Sequence, residues 1–237
     1  MNDWIQYEGP HHPGMDELFH QLNLANIANV LYWREFFEFV RSVPGDYVEC
    51  GVGRGRSLLI VAALSVLLEP AVSGRRKLWA YDSFQGFPEP TPEDRSHRNP
   101  KAGEWATSPS CKYRYSPEFI RRVLAEARIP LAPESATGLA LTLREGFFRD
   151  SLPSHPRQPI ALLHLDGDLY QSYMDSLTIL FPLVSPGGIV VFDDFTLAET
   201  AAEKFPGARR AVREFLGPAC ADLRVSPRGT PYYVKPR

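Results

Sequence analysis

Two apolar runs in the second half of the chain restrict its fold more than any other feature. Residues 160–165 have the sequence IALLHL and residues 189–192 the sequence IVVF, and acidic residues follow each run at once. Strands that are covered by helices on both faces have such continuous apolar sequences, whereas half-exposed strands alternate apolar and polar residues. The two runs therefore predict buried strands of a mostly parallel sheet.

A similar alternation of strands and helices extends along most of the chain. Apolar positions at helical spacing over residues 15–43 predict two helices that cover the core. The turn residues Ser185 to Gly188 predict a turn before the 189–192 strand. This order indicates an α/β fold with a mostly parallel, doubly wound, Rossmann-like sheet. The remaining strands are predicted at 47–50, 78–81 and 139–144, with short ones at the C-terminus, and the helices at 57–68, 117–127, 173–181 and 208–216.

Length and composition favour one domain and a small-molecule partner. The chain of 237 residues is long enough for one sizeable α/β core. We expect a single domain over 1–237, in which 1–45 form a helical cover and 85–117 form either a lid or an ordinary exposed loop. The net charge of -2 provides no basic field for nucleic acid. Without a membrane-spanning run or a signal-peptide pattern, we expect a cytoplasmic protein with no membrane partner.

The first two strands end in residues that suit a nucleoside cofactor. The first is followed by CGVGRGRS, in which Gly51 and Gly53 permit a sharp turn before the free N–H groups of a helix start. Asp82 follows the second strand, where a carboxylate can bind both hydroxyls of a ribose. Glycine and aspartate are also common in plain turns, which is the alternative for each of them.

The segment after the third strand suits an adenine ring. Either Phe147 or Phe148 could stack on the ring face, and Asp150 or Ser151 could contact its edge. The alternative is that the phenylalanines belong to the core, as aromatic residues near strand ends commonly do.

Acidic residues follow the fourth and fifth strands and predict a metal site. Asp166 and Asp168 follow one strand, and Asp193 and Asp194 follow the other. Like charges packed together repel each other unless protons or a cation neutralise them. Oxygen ligands favour magnesium, calcium or manganese over zinc. We predict Asp166, Asp193 and Asp194 as the ligands. The alternative is that these carboxylates cap the helices after their strands, which fits Asp168 well but explains the four together poorly.

These motifs together resemble the macrocin and mycinamicin sugar O-methyltransferases. The shared segments are ECG at 49–51, YDSFQGFP at 81–88, HLDGDLYQS at 164–172 and GGIVVFDDF at 187–195, and the similarity runs from about residue 15 to 216. The resemblance implies a class I methyltransferase fold, S-adenosylmethionine against Gly51, Gly53 and Asp82, and Mg²⁺ held by the three predicted ligands. It also implies a homo-oligomer and an acceptor hydroxyl on a sugar of a glycosylated natural product.

The resemblance gives each candidate residue a role. Asp166 is the catalytic candidate, because it would lie beside the acceptor hydroxyl and could take its proton. A lysine base of the kind found in catechol O-methyltransferases is not expected, since its position corresponds to Leu169. The alternatives are a catechol or phenol O-methyltransferase, a non-catalytic nucleoside-binding protein and a nicotinamide-dependent dehydrogenase. The candidate cofactor contacts are Glu49, Gly51, Val52, Gly53, Ser57, Asp82, Ser83, Phe84, Asp150 and Asp166.

Overall fold

One sheet of seven strands forms the centre of the protein. A computed structural model describes residues 24–69, 76–132, 138–197 and 203–237. The strands are β1 (Asp46–Cys50), β2 (Leu78–Asp82), β3 (Leu141–Glu145), β4 (Ile160–Leu165), β5 (Val184–Phe192), β6 (Arg224–Val225) and β7 (Pro231–Val234). Their order in the sheet is β3-β2-β1-β4-β5-β7-β6. Strands β1 to β5 pair in parallel, and β7 is antiparallel to both β5 and β6. The predicted mostly parallel sheet is confirmed.

Helices cover both faces of the sheet. They are α1 (Leu24–Phe39), α2 (Arg56–Leu68), α3 (Pro117–Glu126), α4 (Phe148–Ser151), α5 (Tyr170–Leu180) and α6 (Pro206–Leu216). The buried side chains of α1, α2 and α3 form one core cluster, and those of α5 and α6 form another on the opposite face. The sheet is therefore doubly wound, as predicted. None of the helices in the described ranges has the length and apolar character needed to cross a membrane.

Two local predictions need comment. Of the two helices predicted over residues 15–43, the structure describes α1, and residues 15–23 lie outside the described ranges. The predicted turn at Ser185 to Gly188 is wrong, because these residues lie within β5. Gly187 has a φ of +81°, and its N–H donates to the carbonyl of Lys235 on the neighbouring chain segment (2.8 Å). The glycine-containing stretch thus forms an irregularity in the strand, at which the register with β4 shifts.

The long segment at 85–117 is attached to the starts of α5 and α6 through Asp94. This carboxylate is 1% exposed, and it accepts hydrogen bonds from the N–H groups of Tyr170 (2.7 Å) and Thr91 (2.8 Å). It therefore caps α5 from outside the helix. Close approach requires glycine at the start of α6, since a Cβ on Gly207 would lie 1.9 Å from Asp94 Oδ1.

An aromatic cluster makes a second attachment of the same segment. The ring of Trp105 lies 5.1 Å from that of Phe87 and 5.7 Å from that of Phe205, between centroids. The Arg98 guanidinium lies 5.3 Å from the Trp105 ring centroid, a distance at which cation and ring attract each other. The segment thus has defined contacts with the domain, while its role as a lid stays a prediction.

Asp94→Ala tests the attachment through the buried carboxylate. The substitution leaves the N–H groups of Tyr170 and Thr91 without their acceptor, so we expect the free energy of unfolding to fall by about 1–3 kcal/mol. Urea unfolding followed by circular dichroism measures the change. Glu93→Ala is the matched control, because the Glu93 carboxylate lies 3.7 Å from the exposed Arg210 guanidinium, and loss of this ion pair should lower the free energy of unfolding by less than about 1 kcal/mol. Equal losses in the two variants would contradict the attachment.

Candidate active site

A large cavity opens at the carboxyl ends of the central strands. Its volume is about 1030 Å³, and it lies where the strand order reverses between β1 and β4, the usual ligand position in open α/β sheets. Its wall combines the glycine turn after β1, the ends of β2, β4 and β5, the 85–117 segment and α1. The predicted cofactor contacts on this wall are Gly51, Val52, Gly53, Ser57, Asp82, Ser83 and Asp166. The predicted contacts Glu49, Phe84 and Asp150 do not line it.

The glycine turn packs directly against the backbone that follows β4. Gly51 has a φ of +95°, and a Cβ at this position would lie 1.8 Å from the carbonyl oxygen of Asp166. The Asp166 N–H donates to the carbonyl of Cys50 (2.9 Å), and the Gly51 N–H donates to that of Tyr81 (2.9 Å). Only glycine combines this φ with so close an approach, so the turn and the acidic segment have fixed relative positions.

Asp82 organises the glycine turn. Its Oδ2 accepts hydrogen bonds from the N–H groups of Val52 and Gly53 (both 2.8 Å). Its Oδ1 accepts one from the N–H of Phe84 (2.7 Å). A carboxylate oxygen has room for a further donor, so the same side chain can hold the turn and still accept a hydroxyl hydrogen bond from the cavity.

The segment after β3 places both candidate aromatic rings at the cavity. Phe147 and Phe148 line its wall. Asp150, in contrast, has a side chain that is 66% exposed and pairs with Arg149 at 3.5 Å. The Ser151 hydroxyl donates to the carbonyls of Gly146 (3.2 Å) and Phe147 (3.1 Å). The aromatic part of the predicted adenine site therefore faces the cavity, whereas Asp150 faces solvent.

A series of buried polar side chains connects α2, the helix after the glycine turn, with the acidic residues. Ser57 Oγ donates to Glu49 Oε1, and the same oxygen lies 3.2 Å from His164 Nδ1. His164 Nε2 lies 3.9 Å from Asp193 Oδ1, which is too long for a hydrogen bond. Burial opposes a charge on His164, but the carboxylates of Asp193 and Glu49 outweigh it and raise its pKa to about 10. His164 thus has a buried hydrogen-bond partner in Glu49, and its ring also faces the cavity.

The carboxylates after β4 and β5 converge. One oxygen from each of Asp166, Asp168 and Asp194 lies within 4.8 Å of the others. Burial, with the neighbouring carboxylates, raises the pKa of Asp166 and Asp168 well above the usual value and that of Asp194 to about 6. Asp193 differs, since burial is outweighed by the charge of His164 and its pKa is lowered. The arrangement concentrates negative charge that a cation could neutralise.

The converging group differs from the predicted ligand set in one member. Asp166 and Asp194 belong to both the predicted set and the converging group. The third member of the converging group is Asp168, whereas the predicted Asp193 lies beside His164. The interpretation of Asp168 as a helix cap is wrong, because α5 has no side-chain hydrogen bond at its N-cap, and Asp94 serves its first turn instead. Both Asp168 and Asp193 line the cavity, so each is a candidate for a third ligand.

Backbone and tyrosine groups orient the Asp194 carboxylate. Its Oδ2 accepts hydrogen bonds from the N–H of Asp168 (2.8 Å) and from the hydroxyl of Tyr173 (3.2 Å). The Tyr173 oxygen in turn accepts the N–H of Asp194 (3.1 Å). An oxygen-only set of acids oriented in this way fits a hard divalent cation such as Mg²⁺. Tyr173 was not recognised from the sequence, because nothing in the helix pattern distinguishes it from a core residue.

Other wall residues come from distant parts of the chain. Asn29 and Trp33 of α1 and Arg228 of the β6–β7 connection line the cavity but belong to no sequence motif. Within the 85–117 segment, the aromatic rings of Trp105 and Tyr115 line the cavity. Tyr113 and His97 do not line it. Only the folded topology brings these side chains together, so no local signal could have found Asn29 or Arg228.

Gly51→Ala tests the contact between the glycine turn and the acidic segment. A methyl group at this position must displace the Asp166 carbonyl, so we expect the free energy of unfolding to fall by about 3 kcal/mol or more. Gly53→Ala is the matched control, because Gly53 also has a positive φ of +51° but no atom lies within 4 Å of its Cβ position. It should cost only about 1 kcal/mol. Similar urea midpoints for the two variants would contradict the contact.

Comparison with known proteins identifies relatives. The Macrocin-O-methyltransferase (TylF) family profile matches residues 36–216. Mycinamicin III 3''-O-methyltransferase of Micromonospora griseorubida is 32% identical over 180 residues, covering 73% of this chain and 61% of the relative. An 8-demethyl-8-(2,3-dimethoxy-alpha-L-rhamnosyl)-tetracenomycin-C 4'-O-methyltransferase of Streptomyces olivaceus is 35% identical, covering 74% and 62%. The matched part therefore spans about three fifths of these relatives.

Solved structures agree with this relationship. CalS11, a calicheamicin methyltransferase, superimposes with a TM-score of 0.76 at 27% identity, covering 97% of this chain and 88% of its own. The O-methyltransferase NovP gives a TM-score of 0.66 at 30% identity, covering 88% and 79%. The resemblance inferred from the sequence motifs is confirmed, and the chain belongs to the macrocin-O-methyltransferase family.

Proposed function

We propose that this protein transfers a methyl group from S-adenosylmethionine to a hydroxyl group on a sugar of a glycosylated natural product, with Mg²⁺ as a cofactor. The observation that supports this most directly is that one cavity has the glycine turn and Asp82 on its wall together with Asp166, Asp168 and Asp193. A nucleoside-binding protein without chemistry would need the first group but not the carboxylates. The names of the relatives, two O-methyltransferases of which one includes a rhamnosyl group in its name, support the same assignment.

The methyl donor would lie along the ends of β1, β2 and β3. Asp82 would accept a hydrogen bond from its ribose, while the close turn at Gly51 allows the nucleoside to approach the backbone. Phe147 or Phe148 would cover the adenine face. Glu49 would support this site without contacting the donor, because its contacts with Ser57 and His164 fix the start of α2 relative to β4.

The acidic residues would hold the cation and manage the acceptor proton. Asp166 and Asp194, with either Asp168 or Asp193, would be the ligands of Mg²⁺. When bound, the cation would lower the pKa of the acceptor hydroxyl and stabilise developing negative charge on its oxygen. Asp166 stays the candidate proton acceptor, because it lies on the cavity wall where the hydroxyl would be. Fixing the donor and acceptor beside each other supplies much of the acceleration in such a transfer.

The acceptor would occupy the side of the cavity that the 85–117 segment forms. Phe87, Trp105 and Tyr115 present aromatic surface there, and aromatic rings offer large apolar contact areas with a defined geometry. Because Asp94 attaches this segment to α5, the three rings would keep water away from the place where the methyl group is transferred. The name of one relative includes a rhamnosyl substituent, which makes a glycoside the first choice of acceptor. A homo-oligomeric state, as the resemblance implies, stays a prediction.

A methyl-transfer assay tests the function. The protein is incubated with S-adenosylmethionine, MgCl₂ and a panel of glycosylated polyketides and aromatic glycosides, with catechol and simple phenols as a separate arm, and products are analysed by mass spectrometry. We expect a glycoside to gain one methyl group, and the product to disappear on chelation with EDTA and return with added Mg²⁺. Asp166→Asn should lower kcat at least about 100-fold.

Two outcomes would contradict the proposal in different ways. Methylation of a phenol but of no glycoside would overturn the acceptor class and leave the methyl transfer intact. Full activity in EDTA, or an unchanged rate in the Asp166→Asn variant, would overturn the role of the cation and of the acidic residues.

A further inference from the structure

We propose that Trp105 is a specificity-determining residue, whose ring stacks on the aglycone of the acceptor, the group to which the methylated sugar is attached. This inference rests on the proposed function and deepens it, because it assigns one side chain of the 85–117 segment to one part of the acceptor. It is carried by the backbone conformation of Trp105, by the fixed and exposed position of its ring, and by its place in the cavity relative to the carboxylates.

The backbone of Trp105 has a conformation that is unfavourable for its residue type. Its φ is +68°, in the left-handed region where a bulky L residue is rarely found. Gly103, two positions earlier, has a φ of +80° and takes this region without a steric cost. Such conformations persist where the surroundings hold them, and they are concentrated at functional sites. A tryptophan at this position therefore indicates that its ring is needed there.

The Trp105 ring is exposed to the cavity although its neighbours fix its orientation. The residue is 53% exposed. Among the large apolar residues that are exposed in the described ranges, it is the one that lines this cavity. Phe87 and Phe205, whose rings contact that of Trp105, are both buried. A ring held in this way loses little conformational freedom when a ligand stacks on it.

Arg98 covers one face of the Trp105 ring and leaves the other for a ligand. Its Cζ lies 5.3 Å from the ring centroid, and its Nη1 lies 2.8 Å from Glu104 Oε2. Arg98 thus contacts two successive residues and fixes the ring relative to the backbone of the segment. Because the guanidinium occupies one face, a ligand in the cavity would stack on the opposite face.

The position of Trp105 determines which part of the acceptor it meets. Asp168, in the group of carboxylates after β4 and β5, is 5% exposed, whereas Trp105 is more than half exposed. The carboxylates therefore lie deeper in the cavity than Trp105 does. The sugar hydroxyl that receives the methyl group must approach the carboxylates, so the group attached to the sugar extends towards the mouth. There the Trp105 ring offers a flat apolar surface.

The charges of the segment favour an uncharged aglycone over a nucleoside diphosphate. A nucleotide-linked sugar would also bring a ring for stacking, but its diphosphate would lie between that ring and the sugar. The 85–117 segment contributes Glu89 and Glu104 to the cavity wall, and Arg98 is already paired with Glu104. Arg149, on the α4 part of the wall, is paired with Asp150. Like charges repel across an interface, so a diphosphate beside Trp105 would be disfavoured.

Calorimetric titration with two glycosides of the same sugar tests the contact. The ligands are 4-nitrophenyl α-L-rhamnopyranoside, which has an aromatic aglycone, and methyl α-L-rhamnopyranoside, which has only a methyl group in its place. S-adenosylhomocysteine and MgCl₂ are present throughout, and the binding of S-adenosylhomocysteine is measured first. We expect the parent to bind the aryl glycoside about tenfold more tightly than the methyl glycoside. Trp105→Ala should raise the Kd of the aryl glycoside about tenfold and leave that of the methyl glycoside within about twofold.

Two further variants separate the ring from other effects of the substitution. Phe39→Ala is the matched control, because this aromatic residue is also exposed but does not line the cavity, and it should keep the parent's preference. Trp105→Gly removes the ring and the unfavourable φ together. It should lose the preference as Trp105→Ala does, but its urea midpoint should be higher than that of Trp105→Ala.

The outcomes separate this inference from the function on which it rests. A parent that binds S-adenosylhomocysteine but does not prefer the aryl glycoside, or the same loss of preference in Phe39→Ala, would overturn the inference alone. A lower urea midpoint for Trp105→Gly than for Trp105→Ala, or tighter binding of dTDP-L-rhamnose than of the aryl glycoside, would do so as well. A parent that does not bind S-adenosylhomocysteine would overturn the proposed function and the inference together. Should Trp105→Ala fail to fold, Trp105→Gly still decides.

Discussion

Repulsion among carboxylates at the ends of β4 and β5 is the constraint on which the other features of the site depend. Asp166, Asp168 and Asp194 have oxygens within 4.8 Å of one another, and hydrogen bonds from backbone N–H groups and from Tyr173 hold Asp194 in place. Burial and mutual repulsion raise the pKa of Asp166 and Asp168 well above the usual value. Without protons or a cation these carboxylates would repel one another, which supports the proposed Mg²⁺ site.

The glycine turn connects this acidic group with the cofactor crevice. Because a Cβ at Gly51 would overlap the Asp166 carbonyl, the turn that we propose to lie against the nucleoside and the segment that begins the acidic group share one contact. Asp82 fixes the far side of the turn through the N–H groups of Val52 and Gly53. A methyl donor on one side and an activated hydroxyl on the other would thus have a defined separation, which methyl transfer requires.

The sheet and the outline of the site could be predicted from the sequence because their signals are local. The apolar runs at 160–165 and 189–192 identify buried strands, and their parallel arrangement places the following acids at one edge. Local signals were insufficient where hydrogen bonding to a distant segment decides whether residues form a turn or a strand. Ser185 to Gly188 have turn residues but lie in β5, because Gly187 and Gly188 exchange hydrogen bonds with Lys235.

The remaining differences arise from contacts over long sequence separations. Asp168 was interpreted as a cap, but Asp94 from the 85–117 segment accepts the N–H of Tyr170 and leaves Asp168 with the acidic group. Asn29 and Arg228 lie almost 200 residues apart in the sequence, and both line the cavity. Such partners cannot be recognised without the topology, because each residue type is common on ordinary helices and loops.

Calorimetric titration of the protein with MgCl₂ tests the central claim most directly. The account predicts that the parent binds the cation, and that Asp166→Asn and Asp194→Asn each weaken binding about tenfold or more. Asp175→Asn, on the same cavity wall but outside the acidic group, should bind as the parent does. Whichever of Asp168→Asn and Asp193→Asn also weakens binding identifies the third ligand. Absence of binding by the parent, or unchanged binding by the Asp166 and Asp194 variants, would contradict the account.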